Sequence, residues 1–121
     1  MITIKSDKLN QRRDDHYFQR VFDVTSLIPQ GRVTTYGAIA DFLGLGSARM
    51  VGWALNHSHT ESASIPAHRV VNRMGELSGR HHFSPPSRMA ALLQAENVEV
   101  VNDKIVDFEK YFWHPRAIEQ I

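Results

Sequence analysis

Phe18, Val21, Phe22 and Thr25 recur at three- and four-residue spacing, which lines one face of a helix. The pattern predicts a helix capped at Asp14 or Asp15 and running to about Ile28, with Leu27 and Ile28 closing the face and Pro29-Gln30-Gly31 ending it. Arg32-Val33-Thr34 reads as a short extended link. Thr34 or Thr35 then caps a second helix whose buried face is Ile39, Ala40 and Leu43 and whose stop is Gly44. After a tight turn at Leu45-Gly46, Ser47 caps a third helix with Ala48, Val51, Gly52 and Leu55 pointing inward. Two short helices joined by a glycine-bearing turn form the helix-turn-helix pattern, although other small helical bundles share it.

Downstream the period changes. Residues 56–64 are polar and loop-like, and Ile65 to Val71 is predicted to be extended. Arg73-Met74-Gly75-Glu76 reads as a turn and Leu77 to Pro86 as a second loop. Ser87 opens a helix carrying Met89, Ala90, Leu92 and Leu93 to about Glu96. Val98 to Val101 and Ile105-Val106 flank Asn102-Asp103 as a small hairpin, and the tail from Phe108 to Pro115 is aromatic. The expectation is one domain over residues 1–121, with 1–13 as a flexible arm and no separate N-terminal domain.

Composition narrows the chemistry. A 42% hydrophobic fraction supports a packed core. The absence of cysteine excludes disulfides, thiolate zinc sites and a cysteine nucleophile, and favours a cytoplasmic location. No apolar run approaches the roughly 18 residues of a membrane span, and the polar N-terminus is unlike a signal peptide. The net charge of +1 is uninformative, but its distribution is not. Residues 31–90 carry six arginines (Arg32, Arg49, Arg69, Arg73, Arg80, Arg88) against three acids, whereas 91–121 carry three cations against six acids. The middle of the chain is therefore the face suited to a polyanion, and arginine forks suit phosphates and base edges.

Ile65-Pro66-Ala67-His68-Arg69-Val70-Val71-Asn72 resembles the Pro-Cys-His-Arg-Val motif of the O6-alkylguanine-DNA alkyltransferases, with Ala67 at the cysteine position. Ile28-Pro29-Gln30-Gly31-Arg32-Val33-Thr34-Thr35-Tyr36-Gly37 and Ala48-Arg49-Met50-Val51-Gly52 resemble two further motifs of that family. Leu92-Leu93 and Glu96 fall where it has Leu-Leu-x-x-Glu-Gly, with Asn97 replacing the glycine. The tail Tyr111-Phe112-Trp113 resembles the ending of the alkyltransferase-like branch, which binds alkylated DNA without repairing it. Alanine departs from the tryptophan usual there. The implied fold is mainly α with a small β wing, a winged helix-turn-helix.

The resemblance implies a lesion pocket from Tyr36, Ala67, Val70, Ser78, Gly79 and Arg80, with Arg80 over the flipped base and Val70 on the floor. It implies a DNA-binding face from Thr35, Tyr36, Ala48, Arg49 and Gly52, with Arg49 entering the stack vacated by the flipped base. His68, Arg69 and Glu96 are the family's proton-relay region, expected here to persist as a hydrogen-bonded scaffold, since Ala67 offers no nucleophile. The expected activity is non-enzymatic recognition of O6-alkylguanine in double-stranded DNA by nucleotide flipping. The lesion is then flagged to nucleotide excision repair proteins, by a monomer without cofactor or membrane association. The alternatives are a sequence-specific winged-helix regulator, or a glycosylase or hydrolase using His68 and Glu96. His57, His59, His81 and His82 lack the spacing of a metal set and are expected to be solvated loop residues. Trp53 and Trp113 are expected to be packing residues, with local repacking around Trp53 because the family tends to be small there.

Overall fold

The structure, a computed structural model, describes residues 17–57 and 65–120. The expected arm at 1–13 and His59 lie outside the described residues. Helix α1 occupies residues 17–26 and buries Val21, Phe22, Val24 and Thr25. The Thr25 hydroxyl donates to the Val21 carbonyl at 2.7 Å, which lets a polar group sit in the core. The helix stops short of the predicted Ile28. Leu27 turns outward while Ile28 turns back into the core, so Leu27 does not close the apolar face.

Strand β1 (Thr34–Thr35) leads directly into helix α2 (Tyr36–Leu43). Thr35 is the cap: its Oγ1 accepts from the Ala38 N–H at 3.0 Å. Gly44 ends α2 in the left-handed region at φ 70°, where a Cβ is penalised. Helix α3 (Ala48–Asn56) follows, with Ser47 at the cap position but without a side-chain capping bond. The buried residues of α3 are Val51, Ala54 and Leu55. Ala48 is exposed and Gly52 half-exposed, which corrects the inward face predicted for them. Small residues carry little hydrophobic signal, so the branched and long side chains decided the rotation of the helix.

The predicted extended run Ile65–Val71 is interrupted. Ala67–Arg69 forms a single 3-10 turn before strand β2 (Val70–Val71). Pro66 initiates it, its carbonyl accepting from the Arg69 N–H at 3.0 Å. Strands β1 and β2 pair in parallel, Thr34 with Val70 and Thr35 with Val71. Alternation of side chains across this pair separates two cores. Val70 joins Val21, Phe22, Ile28, Ile39, Val51 and Leu55 in one. Val33 and Val71 join Leu77, Met89, Leu93, Val98 and Ile105 in the other.

A 3-10 turn at Arg80–His82 and helix α4 (Ser87–Ala95) lead to the wing, strands β3 (Val100–Val101) and β4 (Lys104–Ile105). The wing turn places Asn102 and Asp103 at φ 52° and 59°, the conformation of a two-residue type I′ hairpin. The Glu76–Lys104 bridge attaches the 73–76 turn to the wing. The tail, for which only aromatic character was predicted, forms helix α5 (Phe108–Tyr111) and a 3-10 segment at Pro115–Gln120. It is stitched beside β1 by Val33 N–H to the Tyr111 carbonyl at 2.9 Å and Trp113 N–H to the Val33 carbonyl at 2.8 Å. Trp113 packs on the first core, as expected of it. Among the described residues no helix is long and apolar enough to cross a membrane.

Candidate nucleic-acid interface

Three groups of the expected site residues are brought together by different parts of the fold. The first is centred on Glu96, just past the end of α4. Its Oε1 accepts from the Gly31 N–H at 2.9 Å and from Arg69 Nε at 3.0 Å. Its Oε2 lies 2.8 Å from both Arg69 Nη2 and His68 Nε2. Arg69 Nη1 donates in addition to the Ile28 carbonyl at 2.8 Å. One carboxylate thus clips together the Ile28–Gly31 turn, the Ala67–Arg69 turn and the end of α4. Burial pushes the Glu96 carboxyl up, but the bonds from Arg69, Gly31 and His68 outweigh it and bring it to about 2. Burial holds His68 below its ordinary 6.5, against the opposing pull of the Glu96 hydrogen bond. A neutral imidazole facing an ionised carboxylate must carry its proton on Nε2, which leaves Nδ1 as a lone pair.

The second group gathers at the start of α2. Tyr36 and Ala67 are both partly buried against the first core. Burial raises the Tyr36 pKa above its ordinary value, against a smaller lowering by the neighbouring Ser78 side chain. At Gly79 a Cβ would stand 2.7 Å from the Tyr36 hydroxyl. Any larger residue there would have to displace the Tyr36 side chain, while the backbone itself makes no demand, since its φ is −86°. The loop bearing Ser78 and Gly79 is therefore seated on the tyrosine that opens α2. Val70 is fully buried immediately after the Ala67 turn. Arg80 is engaged elsewhere: Nη1 donates to the Leu77 carbonyl at 3.0 Å and Nε lies 3.5 Å from Asp103 Oδ2 at the wing turn. Gly31 and Asp103 were not foreseen, because their roles arise from contacts far apart in the chain.

The third group is the outward stripe of α3. The Arg49 side chain is exposed and, like those of Arg73 and Arg88, makes no hydrogen bond or ion pair among the described residues. Arg20, Arg32, Arg69, Arg80 and Arg116 are all held by carbonyls or carboxylates. A Cβ on Gly52 would meet nothing within 4 Å. Trp53, expected to pack, is 58% exposed. The core is already filled by Val51, Ala54 and Leu55, and position 53 points away from it. His57 is not a loop residue: it caps the end of α3, with Nδ1 2.7 Å from the Trp53 carbonyl and its ring 5.0 Å from that of Phe18. His81 and His82 are exposed in the 3-10 turn. Among the described residues no group of His, Cys, Asp or Glu has the geometry of a metal site.

Residues 16–98 match the family model of the 6-O-methylguanine DNA methyltransferase DNA-binding domain. The chain is 36% identical over 108 residues to alkyltransferase-like protein 1 of Schizosaccharomyces pombe, covering 85% of this chain and 99% of that protein. It is 38% identical over 103 residues to the DNA base-flipping protein of Escherichia coli, covering 84% and 78% respectively. Among solved structures it is similar to S. pombe Atl1 in complex with damaged DNA containing O6-carboxymethylguanine, with a TM-score of 0.74 and 35% identity over 84% of this chain and 97% of that one. With its two-helix reading unit, wing and Pro-Ala-His-Arg turn in family order, the chain belongs to the family of the 6-O-methylguanine DNA methyltransferase DNA-binding domain.

Proposed function

We propose that this protein recognises O6-alkylguanine in duplex DNA, rotates the nucleotide into the space bounded by Tyr36, Ala67, Ser78, Gly79 and Arg80, and leaves the alkyl group in place. The observation that carries this reading is Ala67. It stands in the turn whose neighbours His68 and Arg69 still bind Glu96, yet a methyl group has no lone pair to accept an alkyl group. The fold keeps the lesion-binding scaffold, and transfer is removed at one atom. The S. pombe relative crystallised with damaged DNA and the base-flipping names of the bacterial relatives support the same direction.

The physical logic runs through the cost of flipping. Extruding a nucleotide costs a few kcal/mol of stacking and pairing. O6-alkylation removes the guanine N1 proton and weakens its pairing with cytosine, so the damaged nucleotide leaves the stack more easily. Arg49, uncommitted within the protein, is free to fill the vacated position, where a planar cation stacks on neighbouring bases. Val70 closes the space from beneath. Thr35, Ala48 and Gly52 complete the DNA-facing surface, small enough for close approach. A protein that holds the lesion without repairing it serves as a flag, and nucleotide excision repair is the process able to act on it.

Binding to otherwise identical duplexes containing guanine or O6-methylguanine tests the reading. The expected result is tighter binding to the damaged duplex, with O6-methylguanine recovered intact after digestion to nucleosides. Equal binding to both duplexes points to a sequence-specific regulator. Unmodified guanine, or an alkylated protein, refutes the absence of transfer, and a freed base or broken strand reveals another enzyme.

A further inference from the structure

Trp53 stands on the outward side of α3 and is 58% exposed. The buried row of α3 is complete without Trp53, and alanine is the better helix former at an outward position. On a helix, residues four apart form rows, with Cβ atoms about 6 Å apart. Ala48 and Gly52 form one outward row of α3, and Arg49 and Trp53 form the next. The first row is small, and Gly52 meets nothing within 4 Å, so the protein itself does not demand a glycine there. A missing side chain in open space suits a surface that another molecule approaches closely. The second row sets a planar cation beside a planar aromatic ring. Neither α3 nor the Gly44–Ser47 turn before it contains an acidic residue that would repel a phosphate backbone.

The geometry points to Trp53 as a further DNA-contacting residue of α3, its indole packed against sugar and base edges of the duplex one helical turn beyond Arg49. This rests on the lesion-binding function proposed above and adds a contact to it. Apolar wedges beside an inserted arginine hold a distorted duplex open, and aromatic stacking on bases is tolerant of sequence. The contact lies along the duplex and not in the pocket, so it senses no alkyl group. It strengthens binding to damaged and undamaged DNA alike, in contrast to a residue over the flipped base.

The chain has two tryptophans, so Trp113→Phe leaves Trp53 as the sole indole reporter. Titrating that variant with guanine and O6-methylguanine duplexes should quench its emission and reduce its access to acrylamide at saturation. In the parent background, Trp53→Ala should weaken both duplexes about tenfold, the scale of one lost stacking contact, and leave their ratio unchanged. Trp53→Phe should recover most of the loss, since it keeps a ring. Full acrylamide access on saturating DNA, or parent-like affinity of Trp53→Ala for both duplexes, overturns the proposal and leaves the ring to a protein partner. Protection of Trp53 on DNA in the Trp113→Phe variant, with no lesion preference in the parent, refutes the lesion reading alone. A parent that binds neither duplex refutes both.

Discussion

Glu96→Gln is the sharpest test of how the Ala67 turn is held. The carboxylate accepts from Gly31 N–H, from two nitrogens of Arg69 and from His68 Nε2, all between 2.8 and 3.2 Å. Glutamine offers one acceptor oxygen, and its amide nitrogen turns a donor toward donors. Two estimates of the cost agree. The carboxyl titrates at about 2 instead of its ordinary 4.5, a difference worth about 3 kcal/mol at neutral pH. Its side chain is only 10% exposed, and removing one partner of a buried ion pair typically costs about 3–5 kcal/mol. Urea unfolding at pH 7 should therefore place the variant about 3 kcal/mol below the parent. The sign of the pH dependence follows from the depressed pKa. The Glu96 contribution is complete above 4.5, where the unfolded chain is also ionised, and is lost as pH falls toward about 2. The gap between parent and variant should narrow across that window. His68 acts in the same direction from higher pH: its folded pKa lies below 6.5, so the unfolded chain takes up the proton first and stability falls on acidification. A variant less than about 1 kcal/mol weaker at pH 7, or a gap unchanged between pH 5 and pH 3, would refute the clip.

Gly79→Ala should destabilise the fold by about 1–3 kcal/mol, because the new methyl meets the Tyr36 hydroxyl at 2.7 Å. Adding Tyr36→Phe removes that oxygen and should return part of the loss in a double-mutant cycle; an additive result means the two do not touch. Arg49→Ala should weaken lesion binding by about 1–3 kcal/mol, and Arg49→Lys should not rescue it, since lysine keeps the charge and loses the plane. Parent-like binding by Arg49→Lys would reduce the residue to a phosphate contact. Arg80→Ala should shrink the preference for O6-methylguanine over guanine while leaving undamaged duplex binding nearly unchanged. Equal losses on both duplexes would confine Arg80 to its tie between Leu77 and Asp103.

What could be read from the sequence divides along the range of the interactions. The ends of α2 were legible because Thr35 and Gly44 act within one turn of themselves, and the wing was legible because Asn102-Asp103 tolerates positive φ. The rotation of α3 was misread at Ala48 and Gly52, where small side chains leave the helical period unmarked. The parallel pairing of Thr34–Thr35 with Val70–Val71 leaves no local trace, nor does the seating of residues 111–113 against Val33. The approach of Gly79 to Tyr36 depends on both the pairing and the loop, and so was unreadable in distance although each residue was named.

The candidate site was named in the sequence by motif and assembled in space by contacts the motif does not describe. His68 and Glu96 illustrate the difference. The family resemblance implies for them a relay that activates a thiol, and residue 67 here is alanine. In the fold they do something independent of it. Glu96 binds Arg69, Arg69 binds the Ile28 carbonyl, and Gly31 binds Glu96, so the turn carrying Ala67 is anchored to two segments distant in sequence. The side chain at position 67 is not part of this network, because no bond in it runs through residue 67. Losing the glutamate leaves buried donors of Arg69, His68 and Gly31 without an acceptor, each carrying a desolvation penalty. The architecture therefore permits a change at residue 67 and resists one at residue 96.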